Sequence, residues 1–369
     1  MPSPDVIVVG GGVIGAACAR SLAHDGLAVT VIEAGPKSGT ASIAAAGMLA
    51  PLAETVAEDP LLGLGVRARD LYNELAPQLL EETGIDIGLW TGGILQVTFR
   101  KADAAAARSE IAWQRQSGFR AEWLSAEELQ KHAPGVSQDA IGAALAPEDG
   151  GLEPLALLDA LMKSAELKGT TLVRGESVQE VLRSDARVTG VRTSNQTYRS
   201  GDVVVAAGAW SGRITGLPRP LSVEPVRGQM AAVDWPTDEP PAIVYGAGGY
   251  VMHRQHEAIV GSTMEYAGFD ASVTTAGLQH LSRTMGRLYP VLTGVEFKRT
   301  WAGFRPGTPD GRPIVGPDPD VTGLWYATGH GRNGILLAGL TGELLAQLHS
   351  GTPTDLDLSA IDPARFWSS

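Results

Sequence analysis

An isolated arginine late in the chain is the first residue whose type and setting point to chemistry. Arg305 lies in the run 301–316, which is rich in glycine and proline and otherwise largely apolar. A guanidinium is a rigid fork of N–H donors that matches a carboxylate through two parallel charge-assisted hydrogen bonds. The setting therefore predicts a stiff loop that presents a buried cation to a small acid. The alternative is an arginine whose donors are satisfied by backbone carbonyls in its own loop.

A glycine motif near the start of the chain predicts a nucleotide site. Gly10, Gly12 and Gly15 follow the apolar, β-branched run 5–9 in the spacing Gly-x-Gly-x-x-Gly, and the alanine-rich stretch 16–24 that comes next has the composition of a helix. The first glycine makes a tight turn, the second lets the backbone approach a pyrophosphate, and the third lets the helix pack closely on the strand. Strand, turn and helix together predict a dinucleotide-binding unit.

The residues after this unit favour FAD over a dissociating nicotinamide cofactor. A second buried strand, 27–32, ends in Glu33, whose carboxylate can accept hydrogen bonds from a ribose hydroxyl. The run 41–47 then consists almost entirely of small residues, which let the backbone pass close to a flat ring system, and Ser42 in it can bond a phosphate. The alternative is an ordinary loop or helix start made of small residues.

Two later segments are predicted to complete the same site. The buried strand 202–205 is followed by Ala207 and Gly208, which are small enough for the backbone to pass beside a dinucleotide, and Val178 is placed to pack on adenine or in the core. The glycine-rich run 328–334 leads into an apolar helical stretch, and the start of a helix is a ready anion site. Amides there could stabilise negative charge on a reduced flavin, as an oxyanion hole does.

Composition narrows the class of protein. The 369 residues carry a net charge of −12, and no basic run occurs, so neither a nucleic-acid nor an anionic-membrane partner is expected. Cys18 is the one cysteine, which excludes an intrachain disulfide and fits a reducing, cytoplasmic location. The apolar stretch 6–19 is too short to span a bilayer and lacks a positively charged leader. No metal site is predicted from the histidine spacing.

These segments together resemble the D-amino-acid oxidase family of flavoproteins, and most closely its glycine oxidase branch, which is linked to thiamine biosynthesis. The resemblance covers almost the whole chain, and its most specific parts are 8–15, 44–49, 301–311 and 329–338. It implies an α/β fold with a Rossmann-like FAD-binding domain and a substrate domain built on a mainly antiparallel sheet. It also implies non-covalent FAD, a small amino-acid substrate, molecular oxygen as electron acceptor, and a homo-oligomer, often a tetramer.

Carried over position by position, the resemblance assigns roles to individual residues. Arg305 and Tyr250 are expected to hold the substrate carboxylate and so to act in catalysis. Further residues expected at the substrate are Arg332, Met264, Tyr245, Met48 and Ala50. Those expected at FAD are Gly10, Gly12, Val13, Ile14, Gly15, Glu33, Ala34, Ala41, Ser42, Ala46, Gly47, Met48, Val178, Ala207, Gly208, His330, Gly331, Arg332, Asn333, Gly334, Ile335 and Leu336.

The chain is long enough for two domains, and both are predicted to be discontinuous. Residues 1–82, 143–221 and 301–369 are assigned to the FAD-binding domain, and 83–142 and 222–300 to the substrate-binding domain. Strand-like segments at 225–233, 242–253 and 257–264 are expected to form the antiparallel sheet that carries Tyr250 and Met264.

Three alternative functions are kept open. A sarcosine oxidase-like enzyme would hold its flavin covalently, but Cys18 falls in the first helix, far in sequence from the segments expected at the flavin ring. A dehydrogenase would pass electrons to an acceptor other than oxygen. A non-catalytic FAD-binding protein would leave Arg305 and Tyr250 without a role.

Overall fold

The computed structural model describes residues 3–35, 38–55, 59–236, 242–254 and 256–366. The helices in this part of the chain are α1 (Val13–His24), α2 (Ala41–Ala44), α3 (Leu62–Thr83), α4 (Lys101–Gln116), α5 (Ala126–His132), α6 (Pro154–Leu167), α7 (Thr275–Leu288) and α8 (Gly334–Ser350). None of these helices combines the length and the apolar character that crossing a bilayer requires.

The strands of the same residues fall into two large and two small sheets. They are β1 (Val6–Val9), β2 (Val29–Glu33), β3 (Met48–Leu49), β4 (Ile94–Thr98), β5 (Glu122–Ser125), β6 (Gly142–Ala146), β7 (Gly150–Gly151), β8 (Thr171–Arg174), β9 (Val178–Ser184), β10 (Arg187–Thr193), β11 (Thr197–Arg199), β12 (Asp202–Val205), β13 (Glu224–Asp234), β14 (Ala242–Gly246), β15 (Gly249–Arg254), β16 (Glu257–Gly261), β17 (Arg299–Gly307), β18 (Ile314–Pro317) and β19 (Leu324–Thr328).

The first large sheet is formed around the apolar strand that opens the chain. Within the described residues its order is β18-β19-β12-β1-β2-β8, and every neighbouring pair except β18 with β19 is parallel. All four residues of β1 are buried, as expected for a strand covered on both faces. Helices α1, α3, α6 and α8 cover one face, and the small sheet β11-β10-β9 covers the other. This arrangement confirms the predicted α/β fold.

The second large sheet is mainly antiparallel, as predicted. Its order in the described residues is β17-β13-β16-β15-β14-β4-β6-β5, and only the pair β14 with β4 runs parallel. One face packs on α5 and α7 through an apolar core. The opposite face presents Met230 and Tyr250 to the segment that contains Ala46 and Ala50. This face therefore meets the small-residue run that was predicted to lie at the flavin.

The segment around Arg305 is a strand, whereas a stiff loop was predicted. It forms β17, which pairs with β13 along its whole length, with Arg305 opposite Val226. β17 lies at the edge of its sheet, where a proline such as Pro306 costs no ladder hydrogen bond on the open side. The local glycine and proline content suggested a loop because the long-range pairing partner is not visible in the segment itself.

The predicted domain limits do not coincide with the sheets at two places. β6 and β17 both belong to the eight-stranded sheet, although 143–221 and 301–369 were assigned to the FAD-binding domain. Each of these two strands directly precedes a segment that returns to the first sheet. The division into two domains stays a prediction.

Candidate active site

A long cavity of about 790 Å³ lies between the two large sheets. At one end it is bounded by the glycine turn after β1, and at the other by Arg305 and Tyr250. The predicted cofactor residues that line it are Gly10, Gly12, Val13, Ile14, Glu33, Ala34, Ala41, Ser42, Ala46, Gly47, Met48, Val178, Ala207, Gly208, His330, Gly331, Arg332, Asn333, Gly334 and Ile335. One cavity thus joins segments from four separate regions of the chain.

The acid at the end of β2 is held in place by the backbone. The Gly11 N–H donates to Glu33 Oε2 at 2.6 Å, and the Gly35 N–H donates to Glu33 Oε1 at 3.0 Å. Each oxygen retains a lone pair that can accept a further hydrogen bond. The carboxylate is therefore fixed at the cavity wall in an orientation that suits the two hydroxyls of a ribose.

The turn and the first helix approach each other as the glycine motif predicts. A Cβ on Gly15 would lie 1.9 Å from the Gly10 carbonyl oxygen, so only glycine fits at this position. Gly15 packs the helix on the strand and is not among the residues that line the cavity. Ser42 Oγ accepts a hydrogen bond from the Val13 N–H at 3.0 Å, which leaves its hydroxyl proton free to donate to a phosphate.

The glycine-rich segment before α8 forms the opposite wall. His330 is almost fully buried, and its Nε2 lies 2.9 Å from Thr341 Oγ1. Its Nδ1 has no hydrogen-bond partner among the described residues, and burial lowers the pKa of the ring to about 3, so the imidazole is neutral. A buried polar atom without a partner fits a site whose cofactor supplies the partner. Leu336, expected at FAD, is buried in the helical core instead of lining the cavity.

Arg305 has the properties of a carboxylate site. Its Nη1 donates to the Thr263 carbonyl at 3.1 Å and its Nη2 donates to Ser262 Oγ at 2.6 Å. No described carboxylate forms an ion pair with it, and burial lowers the pKa of its guanidinium. The two protein acceptors use only part of its five N–H groups. The remaining donors can bind an anion in the cavity, which would offset the cost of a partly buried cation without a counterion.

Two glycines make the space that these side chains occupy. A Cβ on Gly228 would lie 2.3 Å from Arg305 Nη1, and a Cβ on Gly261 would lie 2.3 Å from the hydroxyl oxygen of Tyr250. Tyr250 is buried, and burial raises the pKa of its hydroxyl, so it stays a neutral donor. Neither glycine was singled out from the sequence, because the residues next to them in the chain do not indicate which side chains they contact.

The structure adds an acid that was missed from the sequence. Glu54 lines the cavity, and its Oε1 accepts hydrogen bonds from the Tyr245 hydroxyl and from Arg332 Nη2, the latter at 2.6 Å. The only signal for it was an isolated acid after the apolar run 50–53. Arg332 therefore already has an anionic partner in the protein, unlike Arg305.

Two residues expected at the substrate do not line the cavity. Met264 is 56% exposed, because β16 ends at Gly261 and the chain then turns away along β13, whereas a strand through 264 was predicted. Met264 therefore lies outside the cavity, and its assignment to the substrate stays a prediction. Tyr245 lies behind the wall, with its hydroxyl 3.1 Å from Met48 Sδ and its ring 5.3 Å from that of Tyr250. Ala50 and Met48 do line the cavity.

A buried ion pair fixes the segment that carries Glu54. Asp149 is fully buried, and its Oδ2 accepts from the N–H groups of Leu52 and Ala53 at 3.0 and 2.8 Å. Its Oδ1 accepts from Arg69 Nη1 at 3.1 Å. Burial raises the pKa of Asp149 to about 6, against the opposing effect of these donors. No local pattern indicates this pair, because its members are 80 positions apart.

The cavity brings the glycine turn of the parallel sheet together with Arg305 of the antiparallel sheet, an arrangement that fits an oxidoreductase with a dinucleotide cofactor. Family comparison agrees, because the model of the DAO family, described as FAD dependent oxidoreductase, matches residues 5–348. The chain belongs to this family of FAD-dependent oxidoreductases.

Individual relatives cover the chain to different extents. It is 36% identical over 351 residues to the bifunctional protein ThiO/ThiG of Nostoc sp., covering 93% of this chain but 52% of that relative, so the chain spans about half its length. It is 35% identical to the glycine oxidase of Geobacillus kaustophilus over 98% of this chain and 97% of the relative. The crystal structure of glycine oxidase from Geobacillus kaustophilus matches with a TM-score of 0.92 and 33% identity, covering 99% of both chains.

Proposed function

We propose that this protein catalyses the oxidative deamination of glycine and of other small amines, such as sarcosine and small D-amino acids, to the oxo acid, hydrogen peroxide and the released amine, which is ammonia for the primary amines and methylamine for sarcosine. The observation that carries the proposal is Arg305, a partly buried guanidinium without a carboxylate partner among the described residues, in the same cavity as the dinucleotide turn. The similarity to glycine oxidases over nearly the whole chain supports the choice of substrate.

Substrate orientation is the main contribution of the protein to this chemistry. Bound FAD supplies the acceptor for the hydride from the substrate Cα. Arg305 would hold the carboxylate by charge-assisted hydrogen bonds, and the neutral Tyr250 hydroxyl would donate to it. An unprotonated amine provides the electron pair for this oxidation, so no protein base is assigned. Holding the Cα in one orientation is then the source of rate enhancement.

The wall around this anchor favours small side chains. Met48 and Met230 line the cavity beside Tyr250, and Ala50 lies in the same apolar cluster. The backbone groups at the start of α8 would stabilise negative charge at the far edge of the cofactor. A small amino acid fits beside these side chains, whereas a bulky one would have to displace them.

We further propose that FAD is held without a covalent bond. Cys18 is fully buried inside α1, and burial raises the pKa of its thiol to about 12. A thiol of this kind stays protonated and is a poor nucleophile. Precipitating the protein in acid should therefore release all flavin into the supernatant, and flavin retained in the pellet would contradict this assignment.

We also propose oxygen as the electron acceptor, a cytoplasmic location, a homotetrameric assembly and the two discontinuous domains predicted from the sequence. Similarity to the bifunctional protein ThiO/ThiG supports a role in thiamine biosynthesis. Peroxide release measured across glycine, sarcosine and small D-amino acids distinguishes an oxidase from a dehydrogenase, which would reduce a dye but form no peroxide.

The test of the proposal is the substitution Arg305→Leu. Removing one partner of a desolvated charge pair costs about 2–5 kcal/mol, so kcat/KM for glycine should fall by about 30-fold or more. The protein should remain yellow, because Arg305 lies at the substrate end of the cavity. Arg100→Leu is the matched control, since the Arg100 side chain is 79% exposed and its ion pair in the described part of the chain is with Asp103. Unchanged kinetics in Arg305→Leu would refute the assignment.

A further inference from the structure

Three charged side chains lie close together at the substrate end of the cavity. Arg305 and Glu54 line it from β17 and from the segment after β3, and Arg332 lines it from the segment before α8. The Arg332 side chain is 47% exposed, whereas that of Glu54 is 16% exposed. Two guanidinium groups therefore face one space, and one carboxylate lies with them.

The carboxylate is engaged by one of the two cations only. Arg332 Nη2 donates to Glu54 Oε1 at 2.6 Å, and the Tyr245 hydroxyl donates to the same oxygen. Burial acts to lower the pKa of Arg332, but the charge of Glu54 outweighs it and the pKa is raised. Arg305 has no such partner, and its pKa is lowered. Because Glu54 already neutralises Arg332, Arg305 is the guanidinium of the two that is available to an anion.

We infer that Glu54 determines specificity: by pairing with Arg332 it leaves Arg305 as the single carboxylate anchor and restricts the site to acids with one carboxylate. The inference rests on the proposed function for the nature of the substrate, and it adds a reason why a second carboxylate is rejected. A substrate with two carboxylates would meet a guanidinium that is already neutralised and a negative charge beside it. Specificity of this kind comes from the repulsive element as much as from the attractive one.

Removing the acid should convert Arg332 into a second anchor. In Glu54→Gln the Tyr245 hydroxyl can still donate to the amide oxygen, so the hydrogen bond is kept while the charge is lost. Two cations then face the cavity, and one substrate with two carboxylates can engage both. Because the Arg332 side chain is 47% exposed, salt screens its attraction for a second carboxylate, and the gain should shrink at high ionic strength.

Binding of two acids that cannot be oxidised tests this without turnover. Acetate and malonate are titrated against the FAD-loaded protein, and the change in flavin absorbance gives each Kd. We expect Glu54→Gln to tighten malonate relative to acetate by about tenfold or more, which corresponds to about 1.4 kcal/mol. Glycine and iminodiacetate turnover gives the second readout, with the ratio of their kcat/KM values moving in favour of iminodiacetate.

Two further variants separate charge from packing. Tyr245→Phe removes the other donor to Glu54 but keeps both charges, so the malonate-to-acetate ratio should stay at its original value. Glu54→Gln combined with Arg332→Gln should lose the gain, because the second anchor is absent. If both acids weaken equally in Glu54→Gln, Glu54 holds the amine or the fold and the inference is wrong. Failure to oxidise glycine would refute the proposed function while leaving the binding ratio readable.

Discussion

At the substrate end of the cavity, two glycines show how little free space surrounds Arg305 and Tyr250. Gly228 on β13 faces the guanidinium of Arg305, and Gly261 at the end of β16 faces the ring of Tyr250. Any side chain at either position would overlap the group that is expected to hold the substrate. The positions of Arg305 and Tyr250 therefore depend on the absence of a Cβ at Gly228 and Gly261.

Gly228→Ala is predicted to weaken substrate binding without releasing the cofactor. The new Cβ would lie 2.3 Å from Arg305 Nη1 and would push the guanidinium out of place. We expect KM for glycine to rise by about tenfold or more, since a displaced charged hydrogen bond costs about 1.5–3 kcal/mol. Steady-state kinetics and flavin content measure the two effects separately.

Gly63→Ala is the control for this substitution. Gly63 lies in α3, and a Cβ there would meet no atom within 4 Å, so its kinetics should be those of the unaltered protein. A KM for Gly228→Ala equal to that of Gly63→Ala would show that the guanidinium can move without loss.

The residues of the site differ in how far sequence could predict them. Arg305 and Tyr250 were expected from a motif and a resemblance, and the structure brings both to one cavity. Glu54 was missed because its partner Arg332 is 278 positions away, and no local pattern records such a contact. Met264 was misplaced because the end of β16 at Gly261 depends on pairing and not on composition.

At the scale of elements, the segment after β3 is positioned by a side chain from a distant turn. Asp149 accepts hydrogen bonds from the Leu52 and Ala53 amides and from Arg69. The segment has little regular structure of its own, so these bonds set where Glu54 lies. A change at Asp149 should therefore affect both stability and the site.

Asp149→Asn is predicted to destabilise the fold and to reduce catalytic efficiency together. The amide keeps the shape of the side chain but replaces an acceptor by a donor and removes the buried counterion of Arg69, which keeps its ion pairs with Asp70 and Glu148. Leaving buried donors without an acceptor in this way costs about 1–3 kcal/mol. Denaturant unfolding should show this loss, with a parallel fall in kcat/KM.

The exposed pair of Arg100 and Asp103 provides the comparison. Both side chains are largely exposed, so Asp103→Asn should change the free energy of unfolding by less than about 1 kcal/mol. Equal effects of the two substitutions would mean that burial of Asp149 carries no energetic weight.

Gly15→Ala is predicted to abolish cofactor binding by separating α1 from the turn before it. The Cβ would lie 1.9 Å from the Gly10 carbonyl oxygen, so the helix must shift and its first amides leave the phosphate site. Flavin content after gel filtration should fall to a small fraction of that of the unaltered protein. Full flavin content in a folded variant would contradict the role given to this turn.

The elements themselves were predicted unevenly. β1, α1 and β2 followed from their composition, because each buries a continuous or periodic apolar set. β17 was expected to be a loop, since its glycines and prolines weaken a strand unless an edge position and a partner such as β13 compensate. Sheet pairing between distant segments is the part that local sequence does not contain.

For the whole molecule, stability should decrease on acidification because buried histidines must take up protons on unfolding. His253 stacks on Trp235 at 3.9 Å, and burial lowers the pKa of its ring from 6.5 to about 4. The unfolded chain therefore binds more protons between these values, and stability falls as the pH drops from 6.5 towards 4. The pKa of Asp149 is raised in the folded state, so the contribution of Asp149 to stability increases as the pH falls, opposite to that of His253.

His253→Phe isolates the histidine contribution. Phenylalanine can keep the stack on Trp235, and His253 Nδ1 has no hydrogen-bond partner among the described residues to lose. The decrease of Tm between pH 6.5 and 4 should be smaller in the variant, since the contribution of Asp149 is the same in both proteins. Parallel Tm curves would show that His253 does not titrate in this window.

The order of elements along the chain has a consequence for synthesis in the cell. α1 packs against α8, so closely that a Cβ on Gly342 would lie 2.6 Å from the Ala17 carbonyl oxygen, and β12 needs β19 as its neighbour. Until α8 is translated, the part of the apolar face of α1 that packs on α8 has no partner. The nascent chain must therefore be shielded from aggregation until α8 emerges, and the flavin can be captured only after translation of that helix.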